Sequence, residues 1–87
     1  MTKRDAESLA DALRRKFSAE VEVQAVNGNG RYRFAIVSQD FQRMNQLERQ
    51  DAIWEVVDAT LPRNATIDVS LILAFSPAEL AEAPEAD

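Results

Sequence analysis

The chain has 87 residues, 46% of them apolar and 29% charged, and a net charge of −5. This size and balance indicate one small globular domain and argue against a disordered chain. The sequence contains no cysteine and no histidine. It therefore excludes disulfides, thiol nucleophiles, imidazole catalysis and iron–sulfur ligation by the chain's own thiolates or imidazoles.

Apolar segments long enough for a membrane are missing, since no run approaches the ~18 residues of a membrane span. The first 17 residues are charged throughout and lack the apolar core of a secretory signal. We therefore expect a cytoplasmic protein with no membrane contact. Residues 1–50 hold nine Lys or Arg and seven Asp or Glu, whereas residues 51–87 hold one and eight. This asymmetry is typical either of a basic binding face with an acidic tail or of a C-terminal end that acidic residues keep soluble.

The first predicted element is a helix over about residues 3–17. Thr2 and Asp5 have the spacing of a capping box at its start. Its apolar residues recur at the i, i+3, i+4 spacing of one helical face: Ala6, Leu9, Ala10, Leu13 and Phe17.

Two strands and a turn follow. Val21, Val23 and Ala25 alternate with polar residues, which predicts a half-buried strand. The Asn-Gly-Asn-Gly segment at residues 27–30 predicts a hairpin turn, because both residue types tolerate positive φ. The second strand is expected from about residue 31 to residue 37, with Tyr32, Phe34 and Ile36 on one face.

A long helix is predicted over about residues 44–61, ending before Pro62. Its predicted apolar stripe contains Leu47, Gln50, Trp54, Val57 and Leu61, with Ile53 and Val56 beside it. This apolar surface is wider than one contact face needs. Trp54 therefore has two interpretations, packing on the sheet or anchoring a partner.

A third strand is predicted over about residues 66–75. Ile67, Val69, Leu71, Leu73 and Phe75 alternate there with Asp68, Ser70, Ile72 and Ala74. Ser76, Pro77 and Glu79 then have the pattern of a helix start. We expect residues 1–82 to form the domain and residues 83–87 to be a disordered acidic tail.

These elements predict an α+β fold in the order α-β-β-α-β-α. A hairpin makes the first two strands antiparallel, and a helical crossover makes the second and third parallel. The expected architecture is a three-stranded mixed sheet with helices packed on one face.

Two segments resemble the BolA family, whose fold is similar to the second type of KH domain. The first is VSQDFQRMNQLERQDAIWEVV at residues 37–57, and the second is ATIDVSLILAFSPAEL at residues 65–80. The residues that fit the family register in the first segment are Ser38, Phe41, Met44, Leu47, Arg49, Ile53 and Trp54. The resemblance supports the same fold and implies pairing with monothiol glutaredoxins.

The chain also departs from the family pattern. The family's hallmark His falls on Gln50, the basic residue after it on Asp51, and a Gly on Arg43. Residues 27–30 supply no His or Cys, although family members often carry a second cluster ligand there. The resemblance therefore implies a glutaredoxin contact without iron–sulfur cluster sharing.

The leading functional interpretation is a non-catalytic protein-interaction adaptor or regulator that uses no cofactor and is a monomer or homodimer. Its candidate partner-binding residues are Arg43, Arg49, Gln50 and Trp54. We predict no metal site, because a helical pair such as Glu48 and Asp51 is common on protein surfaces.

Nucleic-acid binding is the alternative, as in KH-like transcription regulators. Its candidate residues are a basic strip of Arg31, Arg33, Arg43 and Arg49, with Tyr32 or Phe41 stacking on a base. Against it stand the missing Gly-x-x-Gly loop and the isoelectric point near 4.6.

Overall fold

The computed structural model describes residues 1–26 and 30–82, without the side chains of residues 67 and 82. Its main elements are α1 (Lys3–Phe17), β1 (Glu20–Val26), β2 (Arg31–Val37), α2 (Gln46–Thr60), β3 (Val69–Phe75) and α3 (Pro77–Glu82), with short 3₁₀ turns at Gln39–Arg43 and Thr66–Asp68. The predicted order of helices and strands is confirmed. Of the turn predicted at residues 27–30, residues 27–29 lie outside the described residues, as does the tail predicted at residues 83–87. No helix in the described ranges combines the length and the apolar character needed to cross a membrane.

Side chains fix where α1 begins. The Thr2 hydroxyl accepts the Asp5 N–H at 3.1 Å, and the Asp5 carboxylate accepts the Thr2 N–H at 3.4 Å. This is the predicted capping box. The helix ends at Ser18, whose positive φ of 49° is a left-handed cap.

The sheet has the order β1-β2-β3. β1 and β2 are antiparallel, with Val23 opposite Phe34, and β2 and β3 are parallel, with Phe34 opposite Ile72. The mixed three-stranded sheet is therefore as predicted.

The core lies between one face of the sheet and the helices α1 and α2. Phe34 and Ile36 of β2 are completely buried there, as are Ile53 and Val57 of α2. α1 contributes the buried residues predicted for its apolar face, Ala6, Leu9, Ala10, Leu13 and Phe17. The opposite face of the sheet has no helix among the described residues packed on it, since its side chains remain partly or largely exposed.

The residues of β3 that face the core do not belong to the more apolar of the two alternating sets of this strand. Ile72 and Ala74 face the core, whereas Leu71 and Leu73 are 43% and 42% exposed. Register decides the face, because Ile72 pairs with buried Phe34, and Leu73 pairs with Ala35 on the outer side. An irregularity between Tyr32 and Arg33 also shifts the pairing, so that Val69 at the start of β3 is buried too.

α2 is shorter than predicted and rotated about its axis. It begins at Gln46 behind an Asn45–Glu48 capping box. Its buried positions are Arg49, Ile53 and Val57, spaced four residues apart. The predicted stripe through Leu47, Gln50 and Trp54 is therefore a flank of the helix, and Leu47 is 71% exposed.

Candidate partner-binding surface

Arg49 is an internal residue, with only 3% of its surface exposed. Its guanidinium donates to three backbone carbonyls, those of Met44 at 3.0 Å, Phe41 at 2.6 Å and Ala74 at 3.2 Å. It also lies over the Phe41 ring, 5.7 Å from the centroid. Arg49 thus joins α2 to β3 and the preceding 3₁₀ turn. The expectation that it contacts a partner or a phosphate does not fit this burial.

The ion pair of Arg49 with Glu79 ties α3 to the same point. Nη1 donates to Oε1 at 2.6 Å and Nη2 donates to Oε2 at 3.0 Å. The Ser76 N–H donates to Oε1 at 2.8 Å, and the Ser76 hydroxyl accepts the Glu79 N–H at 3.2 Å, which is the predicted cap. The hydrogen bonds from Arg49 and from the Ser76 backbone lower the pKa of Glu79 from 4.5 to about 2.

Gln50 and Trp54 lie one turn apart on the exposed flank of α2. Gln50 is half-buried, and its Nε2 donates to the Ile72 carbonyl of β3 across 3.4 Å. Trp54 is half-buried and packs against the core. The packing of Trp54 on the core is therefore observed, and its role as a partner anchor stays a prediction. We call Leu47, Gln50 and Trp54 the α2 flank.

Arg43 is exposed at the end of the 3₁₀ turn Gln39–Arg43, close in sequence to the start of α2. It thus lies just before the N-terminal end of α2, the helix that carries Leu47. Gln50 and Trp54 thus lie on α2 and Arg43 precedes this helix, whereas Arg49 lies on the buried side of α2.

The four arginines of the nucleic-acid alternative do not form one strip. Arg31 and Arg33 lie at the start of β2, whereas Arg43 follows its other end, beyond ~13 Å of strand from Arg33 to Val37. Arg33 donates to Gln24 Oε1 at 3.1 Å, and Arg49 is buried. The proposed stacking residues also face the interior, because Phe41 is completely buried and Tyr32 packs against the core.

Sequence reasoning missed two exposed apolar surfaces. Leu47 was expected in the buried stripe, and Leu71 and Leu73 belonged to the more apolar set of β3, yet all three are exposed. The signal for Leu47 was its place in the first turn, two residues after the Asn45 cap, since the buried spacing then starts at Arg49.

Comparisons with known proteins support the fold. No protein-family model matches the chain, and no curated protein is significantly similar to it in sequence. Among solved structures, the BolA domain of SufE1 from Arabidopsis thaliana is similar with a TM-score of 0.67 and 22% identity, over 91% of this chain and 98% of that one. BolA1 from Mus musculus has a TM-score of 0.71 and 25% identity, over 99% and 76%. BolA1 from Arabidopsis thaliana has a TM-score of 0.67 and 15% identity, over 95% and 100%. The chain therefore has the BolA-like fold.

Proposed function

We propose that this chain is a non-catalytic adaptor or regulator that binds a protein partner through the α2 flank. The observation that supports this most is the exposure of Leu47, which leaves 71% of a large apolar side chain in water. Gln50 and Trp54 follow at i+3 and i+7, so all three project from one side of the helix. Such spacing offers a partner an apolar anchor at each end and a polar amide between them.

The surroundings of the α2 flank also suit a protein partner. Arg43 is exposed before the helix, and Glu48 and Asp51 are exposed near its start. Protein interfaces commonly combine an apolar centre with a charged rim of this kind. A monothiol glutaredoxin is the candidate partner, as the resemblance to BolA proteins implies, and the cytoplasmic location remains a prediction.

An iron–sulfur cluster does not fit the donors of this chain. The sequence has neither thiol nor imidazole, and clusters are held by these groups. The Gln50 amide, at the position of the family's hallmark His, is directed to the Ile72 carbonyl. The residues that the structure describes also contain no group of three metal-binding side chains. The proposed glutaredoxin contact is therefore one in which this chain supplies no cluster ligand.

The test is a calorimetric titration of the purified chain with cluster-free monothiol glutaredoxin of the same organism. We expect saturable binding that changes little between low and moderate salt, because the contact is centred on apolar side chains. Leu47→Ala should weaken binding about tenfold, in the range of interface anchors. Leu80→Ala is the matched control, since Leu80 is 52% exposed but lies on α3.

Trp54→Ala should weaken binding as well, but its half-buried ring requires a check of folding by circular dichroism. A parallel titration with single-stranded oligonucleotide tests the alternative. Salt-sensitive oligonucleotide binding that is lost in Arg31→Ala/Arg33→Ala, together with unchanged affinities in Leu47→Ala, would overturn the adaptor proposal. Capture from cell extract before and after nuclease treatment identifies the partner if glutaredoxin does not bind.

A further inference from the structure

The two edges of the sheet differ in how their backbone groups are used. At the β3 edge, Arg49 donates to the Ala74 carbonyl and Gln50 donates to the Ile72 carbonyl. Side chains of α2 thus occupy acceptors that an added strand would need. Among the described residues, the β1 edge has no such cover over most of its length, and it is the edge considered below for strand addition.

The alternation of backbone groups along β2 shows which residues of β1 face this open edge. Ser38 continues β2 in extended geometry, and its N–H donates to the Phe75 carbonyl of β3. Backbone groups of a strand point alternately to its two sides, so those of Ala35 point to β1, where Ala35 pairs with Glu22. The backbone of Glu22 is therefore bonded to β2, and that of its neighbour Val23 points to the open edge.

A hydrogen bond at the β1 edge agrees with this direction. Arg14 Nη2 donates to the Val21 carbonyl at 2.9 Å. Val21, Val23 and Ala25 share one orientation, so all three direct their backbone groups away from β2. Within the described ranges, the N–H and C=O groups of Val23 and Ala25 have no partner on this side. These four groups are available to pair with an added strand.

A groove of about 440 Å³ follows the same edge on the inner side of the sheet, between α1 and β1. Its apolar walls are Ala10 of α1 and Val21 and Val23 of β1. Opposed residues of two paired strands place their side chains on the same face. A residue bonded to Val23 would therefore direct its side chain into the groove. The unpaired backbone groups and the groove thus fit the same ligand, an extended peptide.

The groove carries an excess of negative charge. It is bordered by three carboxylates, those of Glu7, Asp11 and Glu22, and by one cation, Arg14. Arg14 is paired with Asp11 at 2.9 Å, whereas Glu7 and Glu22 form no ion pair with another described residue. Glu22 is exposed on the outer side of β1, beside the place of every second side chain of an added strand. Basic side chains at those positions would match it.

A second copy of the chain is a poor occupant of this edge. Two β1 strands paired through a two-fold axis would place their α1 helices side by side on one face of the joined sheet. Each copy would then bring its unneutralised Glu7 and Glu22 to the other. Like charges brought together disfavour association. The ligand that fits is therefore a different chain of opposite charge.

We propose that the β1 edge binds an extended basic segment of a partner protein as a fourth, antiparallel strand. Its backbone pairs with Val23 and Ala25, its apolar side chains enter the groove under α1, and its basic side chains lie beside Glu22. The α2 flank contacts β3 through Gln50, at the other edge of the sheet. The two surfaces are separate, so the chain can bind this segment and the partner of the α2 flank together.

Nuclear magnetic resonance titration of the full chain with the peptide TKVKVKT, blocked at both ends, tests the proposal. Saturable shifts should centre on the amides of Val23 and Ala25, and hydrogen exchange of these two amides should slow at least tenfold. The amides of Glu22 and Gln24 are bonded to β2 in both states and should change less. The peptide TEVEVET should not bind at low salt. No saturation up to about 5 mM, or equal binding of both peptides, would overturn the proposal.

A modified peptide separates strand addition from simple charge attraction without changing the protein. Its two valines are opposite Val23 and Ala25, so N-methylation of these valines removes the donors to the β1 edge. We expect binding to weaken at least tenfold. Unchanged affinity would mean that charge alone holds the peptide and would overturn the fourth strand.

Two variants of the chain test the charge. Glu22→Lys should weaken binding of TKVKVKT at least fivefold, because it reverses a carboxylate beside the added strand. Glu55→Lys makes the same change at an exposed glutamate of α2 and should have less than a twofold effect. Equal weakening by both changes would contradict a site at β1. Slow exchange of Val23 and Ala25 in concentrated chain without peptide would assign the edge to a second copy and overturn the proposal.

Discussion

The Arg49 guanidinium and the Glu79 carboxylate form a two-bond ion pair that joins the middle of the fold to its last helix. The two residues are 30 positions apart, and their N–O distances are 2.6 and 3.0 Å. Arg49 is buried, whereas the Glu79 side chain remains 44% exposed. The pair thus connects an internal cation to the surface through α3.

Replacing Arg49 with Met should destabilise the fold strongly. The methionine keeps an apolar stem of similar length but removes the Arg49 donors of the Ala74 and Met44 carbonyls. The Phe41 carbonyl keeps the Met44 N–H. Buried acceptors without partners cost about 1–3 kcal/mol each, so we expect a loss of roughly 2–4 kcal/mol in the free energy of unfolding. Urea denaturation at neutral pH measures it.

Arg43→Met is the matched control for that change, because Arg43 is an exposed arginine of the adjacent 3₁₀ turn. It should alter the free energy of unfolding by less than about 0.5 kcal/mol. Arg49→Lys should fall between the two, since an ammonium keeps the charge but cannot reach all the acceptors of the guanidinium. Equal stabilities of Arg49→Met and Arg43→Met would contradict the internal role of Arg49.

The lowered pKa of Glu79 makes part of the free energy of unfolding depend on pH in the acidic range. Because hydrogen bonds from Arg49 and Ser76 lower that pKa from 4.5 to about 2, the stabilising contribution is complete above pH 4.5 and is lost as the pH falls toward 2. Glu79→Gln, which cannot ionise, should lack this contribution. The stability difference between the two proteins should therefore shrink from pH 5 to pH 2.

Urea unfolding at several pH values between 5 and 2 follows this change. Glu55→Gln serves as the comparison, because Glu55 is an exposed glutamate of α2. A gap between wild type and Glu79→Gln that stays constant across this range would show that the carboxylate of Glu79 is not held ionised by its partners.

Ser38 is a second buried polar residue, and its side chain makes two hydrogen bonds inside the protein. Its hydroxyl donates to the Phe17 carbonyl at 2.6 Å and accepts the Asp40 N–H at 3.1 Å. Ser38→Ala removes both bonds and leaves the Phe17 carbonyl without this donor at the end of α1. We expect a loss of about 1–3 kcal/mol in unfolding free energy. Ser8→Ala, at an exposed position of α1, is the control, and equal effects of the two changes would argue against the role of Ser38.

Local signals in the sequence were sufficient for most of the fold. Thr2 with Asp5, and Ser76 with Glu79, mark helix starts because their hydrogen bonds span only three residues. The alternation of Tyr32, Phe34 and Ile36 correctly predicted that they share one face of β2, and the structure shows that this face is the inner one. These features depend on neighbours along the chain and are visible without the tertiary structure.

The candidate site was harder to predict because its residues are positioned by distant contacts. Arg49 was assigned to the surface as a charged residue, and its acceptors at Ala74 and Glu79 lie 25 and 30 residues away. Packing on the sheet decides which side of α2 faces the core. A small rotation of the helix about its axis would therefore exchange the buried position of Arg49 with that of its neighbour Gln50. The charge and periodicity of the sequence alone do not predict these long-range contacts.

The strand β3 offers a direct test of which face is buried. Ile72→Ser should cost about 2–5 kcal/mol, because it empties a core position and buries a hydroxyl. Leu71→Ser, one residue earlier, should change the unfolding free energy by less than about 1 kcal/mol, since Leu71 is 43% exposed on the outer face. Urea denaturation of both variants measures the two effects. The opposite ranking would mean that β3 presents its other face to the core.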